Sequence, residues 1–275
     1  MSKFPYPRIL DMVQNQDWCI TPGAYHAILT ALENHSQGFT ITAEERAAIQ
    51  DKQKQSSVSV STNGVAVMSI SGIIGKRLDW MDTACGGVDV NAIVGTAQQL
   101  ASDPAVSTII MDWNSPGGTV TGVPEAYDAL KSVGSKKLLI SYTDTQQCSA
   151  AQWLASAARS QYAAASACVA SVGVYNLVLD RSKQLADDGV KVEAISAGKH
   201  KLMGASFQPL SAEHRAMLQE RVDSIHADFK KAVTRHRTVD PAAMEGQALT
   251  GKQGVKAGMI DGIYPSISAL IAALG

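Results

Sequence analysis

Aromatic side chains are scarce in this sequence, at 5% of its 275 residues. Ala, Ser, Gly and Val are abundant in their place. Small residues let helices and strands approach closely, so the expected core is alanine-rich and of α/β type. An excess of either charge is also missing, since 24 Lys and Arg face 25 Asp and Glu. That balance argues against a nucleic-acid groove and against a polybasic membrane patch. Cys19, Cys85, Cys148 and Cys168 form no C-x-x-C pair, and no His–Cys cluster has zinc spacing. Four reduced thiols and no zinc site are therefore expected. No apolar run reaches the length of about 18 residues that a membrane span needs. The opening MSKFPYPRIL has no unbroken apolar stretch of the kind a secretory signal carries, so a cytoplasmic location is expected.

What is present falls into two textures. Residues 1–60 read as an N-terminal helical arm and linker, and residues 61–275 as one larger domain. In the arm, Thr21 followed by Pro22 predicts a helix start, with Tyr25, Ile28, Leu29 and Leu32 on one face. Residues 41–56 are charged and rich in Gln, and predict a solvated helix leading into a linker. From Gly64 onward, strands and helices alternate. Val65 to Ile70 reads as a strand and Gly72 to Gly75 as a turn, with a helix over Asp89–Ala101. Further on come a buried strand at Thr108–Met111, a helix at Pro124–Val133, a strand at Lys137–Tyr142 and an alanine-rich helix at Ser149–Ala158. Short extended pieces follow at 162–164 and 168–170. Then come a helix over Leu177–Asp188, a strand over Val190–Ile195 and a long amphipathic helix over Ser211–Thr234.

Three segments could carry chemistry. Asn114-Ser115-Pro116-Gly117-Gly118 follows a buried strand directly. Its two glycines could present backbone N–H groups to a developing oxyanion, or they could simply make a Pro-Gly turn. Ser149 opens the alanine-rich helix, where free N–H groups would favour the negative charge formed on nucleophilic attack. An ordinary N-cap serine would occupy the same place. Gly198-Lys199-His200-Lys201 brings two lysines. A lysine stripped of water becomes a general base, whereas a solvated one is only a basic turn. The six histidines sit in no recognisable catalytic setting, and His214 and His226 read as surface positions of the long helix.

The order of these segments resembles peptidase family S49, which holds signal peptide peptidase A and the phage capsid or prohead maturation proteases. The resemblance runs from about Val65 to Tyr264. It rests on Ile70-Ser71-Gly72-Ile73-Ile74-Gly75, on Asn114 to Gly118 and on the serine-led helix from Ser149. It rests also on Ala170-Ser171-Val172-Gly173-Val174, similar to the family's G-S-I/L-G-V, and on Gly198 to Lys201. Ala248 to Gly251 and Ala257 to Asp261 look like the family's closing segment. Two departures stand out. Ala150-Ala151 replaces the frequent Gly-Gly after the nucleophile, and Ala170 replaces the glycine before the second serine.

The resemblance implies a crotonase- or Clp-protease-like ββα spiral and a Ser–Lys dyad. Ser149 would be the nucleophile and Lys201, 52 residues later, the base. Strand alternation does not choose between Lys199 and Lys201, and the family spacing does. Ser171 would orient the lysine, and Gly117 or Gly118 with Ala150 would form the oxyanion hole. The resemblance implies no cofactor and a homo-oligomer, expected to be a ring packed through helices 149–158 and 211–234. The phage branch implies capsid or scaffold proteins as substrates, inside an assembling procapsid. The rival readings are a soluble peptidase that degrades signal peptides, a degenerate family member acting as scaffold, and a crotonase-type acyl-CoA enzyme.

Overall fold

The computed structural model describes residues 16–36, 58–61, 63–78, 82–83 and 86–274. The helix expected over 41–56 and the thiol of Cys85 lie outside the described residues. Residues 16–36 hold strand β1 (Asp17–Ile20) and helix α1 (Pro22–Ser36). Helix α1 begins where Thr21-Pro22 predicts. Its first turn closes with the Tyr25 N–H donating to the Thr21 carbonyl at 3.1 Å.

From Val58 onward the chain repeats one step. A strand of a long sheet ends in a tight corner, a shorter strand joins a second sheet, and a helix returns. Strands β2 (Val58–Val60) and β3 (Val65–Ser71) lead to the corner at Gly72, then to β4 (Ile73–Gly75), β5 (Gly87–Asp89) and α2 (Val90–Ser102). The second round is β6 (Thr108–Ser115), the Pro116 corner, β7 (Gly117–Thr119) and α3 (Val123–Gly134). In the third, β8 (Leu138–Cys148) passes through Ser149 straight into α4 (Ala150–Ala155). After β9 (Ser160–Ala163), β10 (Cys168–Ala170) crosses to β11 (Tyr175–Asn176) and α5 (Ser182–Asp187). Helix α6 (Ala212–Val233), β12 (Ala248–Thr250), α7 (Gly251–Lys256), β13 (Gly262–Ile263) and α8 (Ile267–Leu274) complete the chain. This is an α/β fold with the ββα repeat the resemblance implies.

The long sheet runs β12-β10-β8-β6-β3-β2, with β9 on β8 and β13 on β9. Its inner strands β3, β6, β8 and β10 are parallel. Helices cover such strands on their faces, so the first half of β6 carries the apolar run Ile109-Ile110-Met111 rather than an alternation. The small sheet runs β11-β1-β7-β4-β5. The first described strand, β1, thus lies inside it, between two strands from much later in the chain.

Several elements differ from the sequence reading. Ile73–Gly75 is a strand, and the turn is Gly72 alone, at φ 119°. Strand β8 continues six residues past Tyr142 through polar Asp144-Thr145-Gln146-Gln147. It does so because the sheet divides there. Its first half pairs with β9, and Gln146 to Cys148 pair with β10. The helix expected over 177–188 is confined to Ser182–Asp187. No strand forms over 190–195. The alternation of Val190 and Val192 is real, but among the described residues no strand pairs with it, and Ile195 is 97% exposed.

Helix α4 is buried on every side, which explains its alanines and removes it as a face for packing against another copy. Trp153 of α4 stacks on Phe229 of α6, with ring centroids 4.7 Å apart. This pair fastens the long helix to the core, where Phe229, Ala232 and Val233 are the buried positions of α6. Phe229→Ala is expected to cost about 3–5 kcal/mol of stability, measured by chemical unfolding.

Candidate active site

Three corners of the repeat meet at Ser149. The serine links a strand to a helix at φ 59° and ψ −118°, a region that costs a non-glycine residue about 1–3 kcal/mol. Its N–H donates to the Ala170 carbonyl at 2.8 Å, which ties it to the end of β10. Its carbonyl accepts from Trp153 N–H at 2.9 Å, which starts α4. The strained turn is held from both sides.

Beneath the serine lies a buried amide cluster that the sequence reading missed. Gln147 Nε2 donates to Gln152 Oε1 at 3.0 Å and to Gln161 Oε1 at 2.8 Å. Gln152 Nε2 donates to Gln161 Oε1 at 2.9 Å, and the Ser141 hydroxyl donates to Gln147 Oε1 at 2.5 Å. The cluster joins the last residues of β8 to the first turn of α4, the two arms of the strained corner. Fully paired buried networks of this kind rigidify what they join. Gln147 and Gln152, on either side of Ser149 in an otherwise small and apolar stretch, were the available signal.

The glycines of the Pro116 corner face the same point. Gly117 has φ 103°, and a Cβ placed on it would lie 2.8 Å from Ser149 Cβ and 3.0 Å from Ala150 N. A Cβ on Gly118 would lie 1.9 Å from the Ile74 carbonyl oxygen, so neither position admits a side chain. Ala150 is the first residue of α4, and its N–H has no partner within its own helix. The Gly117 N–H donates to Ser115 Oγ at 3.2 Å.

Ser171 is buried beside this point, one residue beyond the carbonyl that holds Ser149. Its hydroxyl donates to the Gly246 carbonyl at 3.3 Å. Ala170 and Ser171 both have positive φ, 76° and 55°. The place where the family prefers glycine is thus one where only glycine is unstrained. His226 is no surface residue: its Nε2 lies 3.1 Å from the Val172 carbonyl and 2.9 Å from that of Met244. It bridges the Ser171 loop to the segment after α6.

Lys201 is placed differently. It lies in a turn whose backbone closes from Lys201 N–H to the Gly198 carbonyl at 3.1 Å, and it is exposed. Its ammonium bonds none of the described residues. Lys199 is engaged elsewhere, in an exposed ion pair with Glu213 at 2.5 Å. The structure therefore gathers Ser149, Ala150, Gly117, Gly118 and Ser171, and leaves both lysines on an outer strap.

The model of peptidase family S49 matches residues 131–272, just over half of the chain and the part that holds Ser149, Ser171 and Lys201. The chain belongs to peptidase family S49. Among curated relatives of this S49 chain, capsid assembly protease C of Escherichia phage lambda is 28% identical over 96% of it. Head-tail preconnector protein GP5 of Enterobacteria phage P21 is 29% identical over 76%. The chain spans 64% and 42% of the lengths of these two relatives. Among solved structures, an enoyl-CoA hydratase/isomerase family member aligns with a TM-score of 0.41 at 16% identity, covering 79% of this chain and 75% of its own. Among the described residues, no helix is long and apolar enough to cross a membrane.

Two of the described thiols, Cys148 and Cys168, lie with their sulfurs 3.2 Å apart behind the nucleophile position. Hydrogen bonding from Cys148 holds the Cys168 thiol below its ordinary range, while the same contact and burial push Cys148 up.

Proposed function

We propose that this chain is a serine endopeptidase that acts through a Ser149–Lys201 dyad oriented by Ser171, with residues 1–60 as its arm and 61–275 as its catalytic domain. The observation that carries the reading is the strained corner at Ser149, which faces the Gly117-Gly118 turn and the first N–H of α4. In the reaction, neutral Lys201 takes the proton from the serine hydroxyl as the oxygen attacks the peptide carbonyl. Backbone N–H groups of Ala150 and of Gly117 or Gly118 receive the negative charge. The lysine then returns its proton to the leaving amine, and water hydrolyses the acyl-enzyme by the same route.

Lysine becomes a base when burial strips its water. In the single chain the strap that carries Lys201 also exposes Val190, Val192 and Ile195. A second copy laid over that strap would cover the apolar side chains and desolvate the ammonium together. This supports a homo-oligomer, a ring in our reading, packed through the strap and the exposed face of α6.

The phage relatives favour capsid or scaffold proteins as substrates, cleaved in the host cytoplasm inside an assembling procapsid. The test combines mass-spectrometric mapping of a fluorophosphonate adduct with light scattering and co-expression beside a neighbouring capsid or scaffold gene. The expected result is an adduct on Ser149, an assembly larger than 29 kDa and processing that requires Ser149. Digestion of free signal peptides with indifference to capsid proteins would move the chain to the cellular branch. No adduct and no cleavage would leave a scaffold.

A further inference from the structure

Strand β1 is built into the small sheet in an unusual place. On one side it pairs antiparallel with β7, with Cys19 opposite Gly118, and on the other antiparallel with β11. Among the described residues, strands β7 and β11 are joined only through it. At a spacing of about 4.8 Å between neighbouring strands, removing β1 would leave a slot one extended peptide wide, bordered by two strand edges.

The occupant of that slot reaches the reacting point. Val120 N–H donates to the Asp17 carbonyl and Thr21 N–H to the Pro116 carbonyl, both at 3.0 Å. By the alternation of an antiparallel ladder, Cys19 and Gly118 exchange the pair of bonds between these two. The Gly118 N–H, a candidate oxyanion donor, is thus directed at the Cys19 carbonyl. The point that a Cβ on Gly117 would take lies 2.1 Å from the Cys19 oxygen, 2.8 Å from Ser149 Cβ and 3.0 Å from Ala150 N. The Cys19 carbonyl therefore sits where a scissile carbonyl would. The Cys19 thiol, pushed up mainly by burial, lies beside the Ser149 side chain, whose hydroxyl opposes that rise. Cys19 is fully buried and Ser149 is 1% exposed, so strand and nucleophile cover one another.

Two residues upstream, the side chain of Asp17 is clamped. Arg221 of α6 reaches its Oδ2 through Nε at 2.6 Å and through its terminal nitrogen at 2.5 Å. Asn176 of β11 donates to its Oδ1 at 3.0 Å and to the Gln16 carbonyl at 3.2 Å. Between clamp and carbonyl, Trp18 packs with Ile20 and Tyr25 in a small cluster separate from the main core, joined chiefly by side chains of α1. Trp18 and Tyr25 meet edge to face at 5.4 Å. Most of what β1 packs against would travel with it.

We propose that β1 is a pseudosubstrate: it fills the peptide groove between β7 and β11 and must leave before another chain can be cut. In this groove Arg221 and Asn176 form a subsite for an acidic side chain two residues before the reacting carbonyl. The proposal rests on the reading of Ser149 as nucleophile for its occlusion of catalysis, and on geometry alone for the groove and its acidic subsite.

The test uses the full chain, Arg221→Glu, Asp17→Arg and the double variant. Alkylation of Cys19 by N-ethylmaleimide and labelling of Ser149 by a fluorophosphonate are followed together by mass spectrometry. Each single change should speed both reactions at least tenfold, and the double variant, which restores opposite charges, should slow both again. Cys19 equally shielded in every form would make β1 a fixed strand and overturn the proposal. So would Cys19 exposure with Ser149 labelled at an unchanged rate. The groove is read separately by a fluorescent peptide of residues 16–21 carrying Cys19→Ala. It should bind the Asp17→Arg chain, whose Arg221 is intact, at least fivefold more tightly than the same peptide with Asp17→Asn. Absence of that preference would overturn the subsite. If Ser149 is labelled in no form while peptide binding and Cys19 exposure behave as expected, the nucleophile assignment has failed and the groove stands.

Discussion

Ser149→Ala is expected to lower peptide cleavage by about four orders of magnitude or more, because removing the nucleophile of a cooperating pair typically costs nearly the whole effect. The fold should survive. The side chain is small, and the corner is held by the Ala170 carbonyl, by α4 and by the buried amides of Gln147, Gln152 and Gln161, none of which uses the hydroxyl. Circular dichroism and thermal melting should match the unaltered chain. Ser149→Gly separates catalysis from strain. It should be equally inactive yet more stable by about 1 kcal/mol, since relief of the positive φ outweighs the extra freedom glycine has when unfolded. Unchanged cleavage by Ser149→Ala would end the dyad reading.

Lys201→Ala should be as damaging as the serine change, and Lys201→Arg no better, because a guanidinium does not give up its proton in a protein. Lys199→Ala should keep nearly full activity. Its ammonium is spent on an exposed pair with Glu213, and such pairs contribute little. Steady-state cleavage of one peptide by all three variants decides the matter. An inactive Lys199→Ala beside an active Lys201→Ala would move the base by two residues and take from Ser171 its orienting role.

The exposed place of Lys201 in the single chain sharpens this expectation. A base that needs desolvation and lies on a strap with outward Val190, Val192 and Ile195 should depend on assembly. Dilution below the assembly range should therefore lower cleavage together with particle size.

The local chemistry of the sequence was sufficient for much of the fold. Apolar runs and spacing located β3, β6, α2, α3 and α6, because each buries one stripe or one run whose period is set within the segment itself. Thr21-Pro22 marked the start of α1 for the same reason. The Gly117-Gly118 corner was legible because positions without room for a side chain demand glycine, and Ser149 because it opens a helix in the order the family shows. The apolar alternation of Val190 and Val192 misled, because a strand exists only when another edge meets it. The polar end of β8 was hidden for the converse reason, since β10 supplies pairing that its sequence does not advertise.

By itself, then, the sequence determined an α/β chain of the S49 kind and the order of its candidate catalytic groups. Only the tertiary structure decided which of them meet. Cys19 lies opposite Gly118 and Asp17 beneath Arg221, pairings between residues far apart in the chain that no local pattern encodes. Backbone ladders and ion pairs of this kind depend on where the sheet places an edge. That placement follows from the packing of the whole core, so the strand that fills the groove became visible only once the fold was assembled.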